Sequence, residues 1–284
     1  MKKIIGVSFA LVVSAMSFAQ SNDQVQNKNG VDIMPVSGEW GVGMNAVPML
    51  NFIGNSFNGT GGNSIGGNKF VNYWATNTLF GKYMLSDDNA IRAQLRFGQQ
   101  NLTYSRLVFD DTKNSPDSMV TDTYTTHTSN YNIGVGYEFR RGKTRLKGIY
   151  GGEVMYMFQR GTKSEYTYGN AFGIGNQAPT SSAWFGPTAP LGERLVSQKG
   201  GNFNGAGIRV FVGVEYYIAP KICFGTEFGW GIMAGKTGES VTTTEFWDNG
   251  NAITNTRSVT TASTKSLTID TDNFGGSLYL MFYF

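Results

Sequence analysis

Apolar and polar residues alternate with a period of two along much of this chain. In "NAIRAQLRFG", Ile91, Ala93, Leu95 and Phe97 alternate with Arg92, Gln94 and Arg96. "SNYNIGVGYEFR" sets Tyr131, Ile133, Val135, Tyr137 and Phe139 against Asn130, Asn132, Gly134, Gly136 and Glu138. "LKGIYGGEVMYMF" sets Tyr150, Val154, Tyr156 and Phe158 against Lys147, Glu153 and two methionines. From residue 205 on, Ile208, Val210, Val212, Val214, Tyr216 and Ile218 oppose Gly205, Gly207, Arg209, Gly213 and Glu215. Next, Ile222, Phe224, Phe228, Trp230 and Ile232 oppose Cys223, Gly225, Glu227, Gly229 and Gly231. In "GGSLYLMFYF", Leu278, Leu280, Phe282 and Phe284 share one face, while Ser277, Tyr279 and Tyr283 share the other. Such alternation puts successive side chains on opposite faces of a strand.

Two earlier segments follow the rule less cleanly. Trp40, Val42, Met44 and Ala46 oppose Glu39, Gly41, Gly43 and Asn45. Tyr73, Ala75, Leu79 and Tyr83 point one way, and Thr76, Thr78 and Lys82 the other. That makes eight predicted strands. Their links alternate in length: short at 86–89, 141–144 and 219–221, long near 53–69, 105–125, 160–203 and 237–265. Gly, Asn, Ser, Thr, Pro and Asp dominate the long links, as loops require. The Thr-rich tracts "TDTYTTHTSN" and "VTTTEF" read as outer extensions of strands and loops.

Charge decides which face is which. The more apolar face of the eight strands carries no Asp, Glu, Lys or Arg. The opposite face carries Glu39, Lys82, Arg92, Arg96, Glu138, Lys147, Glu153, Arg209, Glu215 and Glu227. A soluble sandwich or barrel would turn the apolar face inward and the charges outward. Here glycines share the charged face, where a small barrel needs room for the backbone and its side chains. The apolar face is aromatic, as an interfacial girdle would be. Charged residues make up only 15% of the chain, against about 25% in soluble domains. The expected fold is therefore all-β: an eight-stranded antiparallel up-and-down transmembrane β-barrel with long extracellular loops and short periplasmic turns. In hydrocarbon a sheet must have no open edge, so the strand near Trp40 is expected to pair with the one near Phe284.

The first residues, "MKKIIGVSFALVVSAMSFAQ", support export. Two lysines, an apolar run and small residues before Ala19 describe a signal peptide over residues 1–19. The apolar run is too short for a spanning helix. Residues 20–37, polar and rich in Asn and Gln, are expected to form a flexible periplasmic lead-in, and residues 38–284 the barrel. The mature chain carries 21 basic and 20 acidic residues, so nucleic acid is not an expected partner. Its single cysteine, Cys223, forms no internal disulfide and is expected to pack inward.

These features resemble the small eight-stranded outer-membrane barrels of the OmpA-barrel, OmpX and OmpW kind. The resemblance covers residues 38–284 and rests on the signal peptide, the dyad strands, the loop rhythm and the closing "LYLMFYF". It implies the outer membrane of a Gram-negative bacterium, with membrane lipids as partners. It also implies an assembly signal, read by the outer-membrane assembly machinery, at Leu278, Leu280, Phe282 and Phe284.

Eight strands enclose a space that side chains can fill. The ten inward charges are expected to pair into a plug, since a lone buried charge is costly. No enzymatic role, cofactor or metal is expected. The lone His127, near Ser129, has outward parity at a strand–loop junction, and no orienting carboxylate or oxyanion donors accompany it. One His and one Cys do not make a zinc or haem site. "NGTGGNSIGG" lacks the Lys and Ser/Thr of a phosphate loop. Trp184 and Phe185, in "APTSSAWFGPTAP", and Trp247 are candidate contacts for an extracellular or membrane-protein partner. The expected role is structural or adhesive, through the loops. The alternatives are a small-solute channel and an accessory subunit of an outer-membrane complex.

Overall fold

Twelve strands build the molecule in a computed structural model that describes residues 25–46, 53–59, 79–113, 115, 117–181, 192–271 and 277–284. In chain order they are β1 (Trp40–Asn45), β2 (Leu79–Ser86), β3 (Asn89–Phe109), β4 (Met119–Arg141), β5 (Leu146–Thr167) and β6 (Glu193–Lys199). β7 (Phe203–Ala219), β8 (Ile222–Thr237), β9 (Ser240–Asp248), β10 (Ile253–Thr261), β11 (Thr264–Thr271) and β12 (Ser277–Tyr283) follow. All pair antiparallel in one sheet. Eight of them close a hydrogen-bonded ring in the order β1-β2-β3-β4-β5-β7-β8-β12 and back to β1. The closure is the expected one. The Trp40 amide donates to Phe284 O at 3.0 Å, and the Phe284 amide donates to Trp40 O at 2.9 Å.

Burial follows the sequence alternation closely. In β7, Ile208, Val210, Val212, Val214 and Tyr216 are exposed, while Gly205, Phe211, Glu215 and Tyr217 are buried. In β12, Tyr279, Met281 and Tyr283 are buried and Phe282 is exposed. One position departs from it: Ala46 is buried, with its amide donating to Leu278 O at 2.8 Å. Ile149 shares the parity of Lys147 and Glu153 and is buried with them on the charged face of β5.

The four remaining strands prolong the ring strands on the long-link side. β6 leads into β7, β9 follows β8, and β11 pairs with the second half of β8 while β12 pairs with the first. β9 joins β6 to β10. Much of what reads in sequence as long links, near 105–125, 160–203 and 237–265, is therefore strand. The reason is that threonine favours the strand backbone, whereas a strand wetted on both faces shows no apolar alternation.

The short turns share the other end. Residues 25–37, part of the lead-in expected to be flexible, pack here. The Lys221 amide donates to Ile33 O at 2.9 Å, and the Gly38 amide to Met84 O at 2.8 Å. Ile33 and Met34 are buried in one cluster with Met84, Ala90, Ile149, Tyr217 and Cys223. The signal-peptide residues lie outside the described residues.

Candidate functional site

The buried face of the ring carries ionisable groups because every second residue of each strand must point there. Lys82 comes from β2, Arg92 from β3, Glu138 and Arg140 from β4, Glu153 from β5, Arg209 and Glu215 from β7, and Glu227 from β8. Four cations thus meet four carboxylates. Lys82 Nζ lies 2.7 Å from Glu138 Oε2 and 2.6 Å from Glu215 Oε1. Arg140 bridges the same two acids, at 3.1 Å to Glu138 and 2.7 Å to Glu215. Arg92 holds Glu227 with two parallel bonds of 2.8 and 3.1 Å, the geometry that makes Arg–carboxylate pairs strong. Its Nε reaches Glu153 at 3.3 Å. Arg209 links Glu153 and Glu227 at 3.0 and 2.9 Å.

Aromatic and amide groups complete the cluster. Tyr279 OH donates to Glu215 Oε1 at 2.9 Å, and Gln94 Nε2 donates to Glu153 at 3.1 Å. Arg140 donates to the hydroxyls of Tyr283 and Tyr217. The Arg92 guanidinium lies 4.0 Å from the centre of the Phe211 ring, a cation–π contact that also shields it from water. With Tyr279 and Tyr283 on β12, the cluster joins seven of the eight ring strands. Because the charges balance, each is compensated despite burial, which a lone ion would not be.

The expected inward charges divide into three groups. Lys82, Arg92, Glu138, Glu153, Arg209, Glu215 and Glu227 meet in the cluster. Arg96 and Lys147 are buried on the same face, Lys147 directly opposite Glu215 in the β5–β7 register. Glu39 stands apart: it pairs with Lys221 at 2.7 Å at the short-turn end, both side chains about one-fifth exposed. Arg140 was missed by sequence reasoning, although it continues the parity of Glu138 two residues on. Tyr217 likewise continues the parity of Glu215.

Glycines make room for these long side chains. A Cβ on Gly225 would fall within the Tyr279 ring, and one on Gly229 within the Arg209 guanidinium. Gly225→Val is expected to displace Tyr279 from Glu215 and cost about 1–3 kcal/mol, as overpacking does. A urea-unfolding midpoint equal to that of the parent protein would contradict this.

The other candidates separate from the cluster. His127 lies within β4, not at a strand–loop junction, beside Asn101 and with Arg160 at 3.4 Å. Ser129 is buried, and Cys223 is buried in the apolar cluster at the short-turn end. Trp247 is half-buried in β9. Trp184 and Phe185 lie outside the described residues. Leu278, Leu280, Phe282 and Phe284 hold the alternate face of the closing strand, with Phe282 and Phe284 exposed. No protein-family model matches the chain, and no curated protein matches it in sequence.

Proposed function

We propose that this protein is an outer-membrane β-barrel, closed by its eight-strand ring, with a lumen plugged by the ion-pair cluster and a surface-interaction role at its outer end. The carrying observation is the exposed face of the ring. Trp40, Val42, Leu95, Phe97, Ile133, Val135, Val154, Val210, Val212 and Trp230 are all exposed. Over Trp40–Met44, Ile91–Phe97, Tyr131–Phe139, Ile208–Ile218 and Ile222–Ile232 that face bears no Asp, Glu, Lys, Arg or His. Soluble monomers rarely expose apolar area on this scale, whereas a barrel in lipid requires it. On this reading Phe282 and Phe284 contact lipid and belong to the assembly signal. The same reading takes the short-turn end as periplasmic and the prolonged strands as extracellular.

Pairing inside the lumen favours a plug over a conducting channel, since the cations and carboxylates occupy one another. Planar-bilayer recording of the refolded chain is expected to show no steady unitary steps. Reproducible steps would overturn the plug and favour the channel. Orientation is checked on intact cells. A Lys113→Cys variant is expected to react with a membrane-impermeant maleimide, while the buried Cys223 does not react. Protection of the introduced thiol would overturn the outward placement.

A further inference from the structure

Beyond the ring, β3 and β4 stay paired without a register shift up to Phe109↔Met119. On the exposed face of β3 the apolar band ends at Phe97, and Gln99, Asn101, Thr103 and Ser105 follow. Only then do Leu107 and Phe109 appear, 65% and 54% exposed, with Met119 opposite at 46%. From Phe97 to Phe109 is about 40 Å of strand. A polar collar therefore separates this apolar tip from the band, and lipid contact does not account for it.

The tip also holds a cavity of about 180 Å³. Leu107, Val108, Phe109 and Met119 supply its apolar lining, and Arg106 and Asp122, opposite one another in the register, its polar lining. An apolar cavity of about 150 Å³ takes a benzene-sized group, so this one has room for a single large apolar side chain.

Its walls are braced. Asp111 accepts from Asn176 Nδ2 at 2.7 Å and from the Thr180 amide at 2.8 Å, Thr180 being itself a lining residue. Asn170 Nδ2 donates to Phe109 O at 2.6 Å. Asp122 accepts from the Gly169 amide at 2.8 Å and from Ser181 Oγ at 2.7 Å. Buried Arg194 donates to the carbonyls of Asn170 and Ser181, both at 2.8 Å, and to Glu245 at 2.6 Å. Its guanidinium lies 4.3 Å from the centre of the Tyr168 ring and 4.5 Å from that of Phe172. A cavity held this way needs little ordering when it is filled.

Charge selects the partner. Over residues 106–122 and 170–181 the acids are Asp110, Asp111, Asp117 and Asp122, against Arg106 and Lys113. Asp111 and Asp117 are exposed. The hydroxyl and then the amide of Thr112 donate to Asp110 and hold its carboxyl below the usual carboxylate range. The tip thus joins an apolar socket to a net-negative surround, the arrangement of an anchor pocket with a polar rim.

We infer that this tip cavity docks a large apolar side chain carried by a basic extracellular polypeptide. The inference rests on the surface-interaction reading above and names its site. The probe is a phage library of random heptapeptides, selected on the refolded full chain. Val108→Trp, which fills the cavity, and the double variant Phe109→Ser/Met119→Ser, which strips its rim, serve as comparators. Parental heat-modifiable mobility shows that each variant has folded. Enriched peptides are expected to share a Phe, Leu, Met or Trp flanked by Lys or Arg. Their binding is expected to weaken about tenfold or more on either variant. No enrichment, an acidic or wholly polar pool, or equal binding to Val108→Trp would overturn the site. Protection of the Lys113→Cys thiol on intact cells with peptide affinity retained would instead overturn the outward placement and leave the cavity's chemistry standing.

Discussion

Glu215→Ala is expected to lower the unfolding free energy of the refolded protein by about 3–5 kcal/mol, because removing one member of a buried ion pair strands its partners. Glu215 is fully buried and accepts from Lys82, Arg140, Tyr217 and Tyr279. Without it, Lys82 and Arg140 keep only Glu138 between them as a shared carboxylate. Urea unfolding in detergent micelles or lipid vesicles reads the change. Glu215→Gln removes the charge and one of the two acceptor oxygens but keeps the other oxygen and the side-chain volume, so its loss is expected to be smaller than that of the alanine variant. A change near zero for both would show that the cluster contributes nothing to stability.

Val212→Arg is expected to cost about 2–4 kcal/mol, the range for an arginine on the lipid face near the bilayer midplane. Val212 is 46% exposed on the uncharged face of β7. In a sheet bathed by water the same substitution would fall within about 0.5 kcal/mol. The contrast separates a ring in lipid from a ring in water. Unfolding from lipid vesicles gives the first value. A cost below about 0.5 kcal/mol would remove the main support for the membrane reading.

Much of the ring is legible residue by residue. The stretches at Ile91–Phe97, Tyr131–Phe139, Ile208–Ile218, Ile222–Ile232 and Leu278–Phe284 alternate because one face is apolar and the other is not. These five ring segments therefore declare both their strand nature and their facing. The prolonged strands do not. β9 and β10 read "SVTTTEFWD" and "ITNTRSVTT", polar or mixed on both faces, so no period stands out. The packed lead-in is equally silent: the consecutive Ile33, Met34 and Pro35 are its buried residues among those described, too short a run to make a pattern. Arg140 was legible and overlooked, since it lies two residues after Glu138 and strand parity carries it inward.

By itself, the sequence determined which residues share a face, because alternation is a local consequence of the pleated strand. It also determined that the ring closes between Trp40 and Phe284, and that charge and apolar surface stay apart. The pairing of particular charges was decided only in three dimensions. Lys82 meets Glu215 across 133 positions of chain, and Arg92 meets Glu227 across 135. Strand parity puts both partners on the buried face, but register and ring closure bring them into contact. The same holds for the tip cavity. Its walls come from the β3–β4 hairpin and from Thr180, far along the chain, and Asp111, Asn170 and Arg194 hold them together through bonds between loops that no local pattern records.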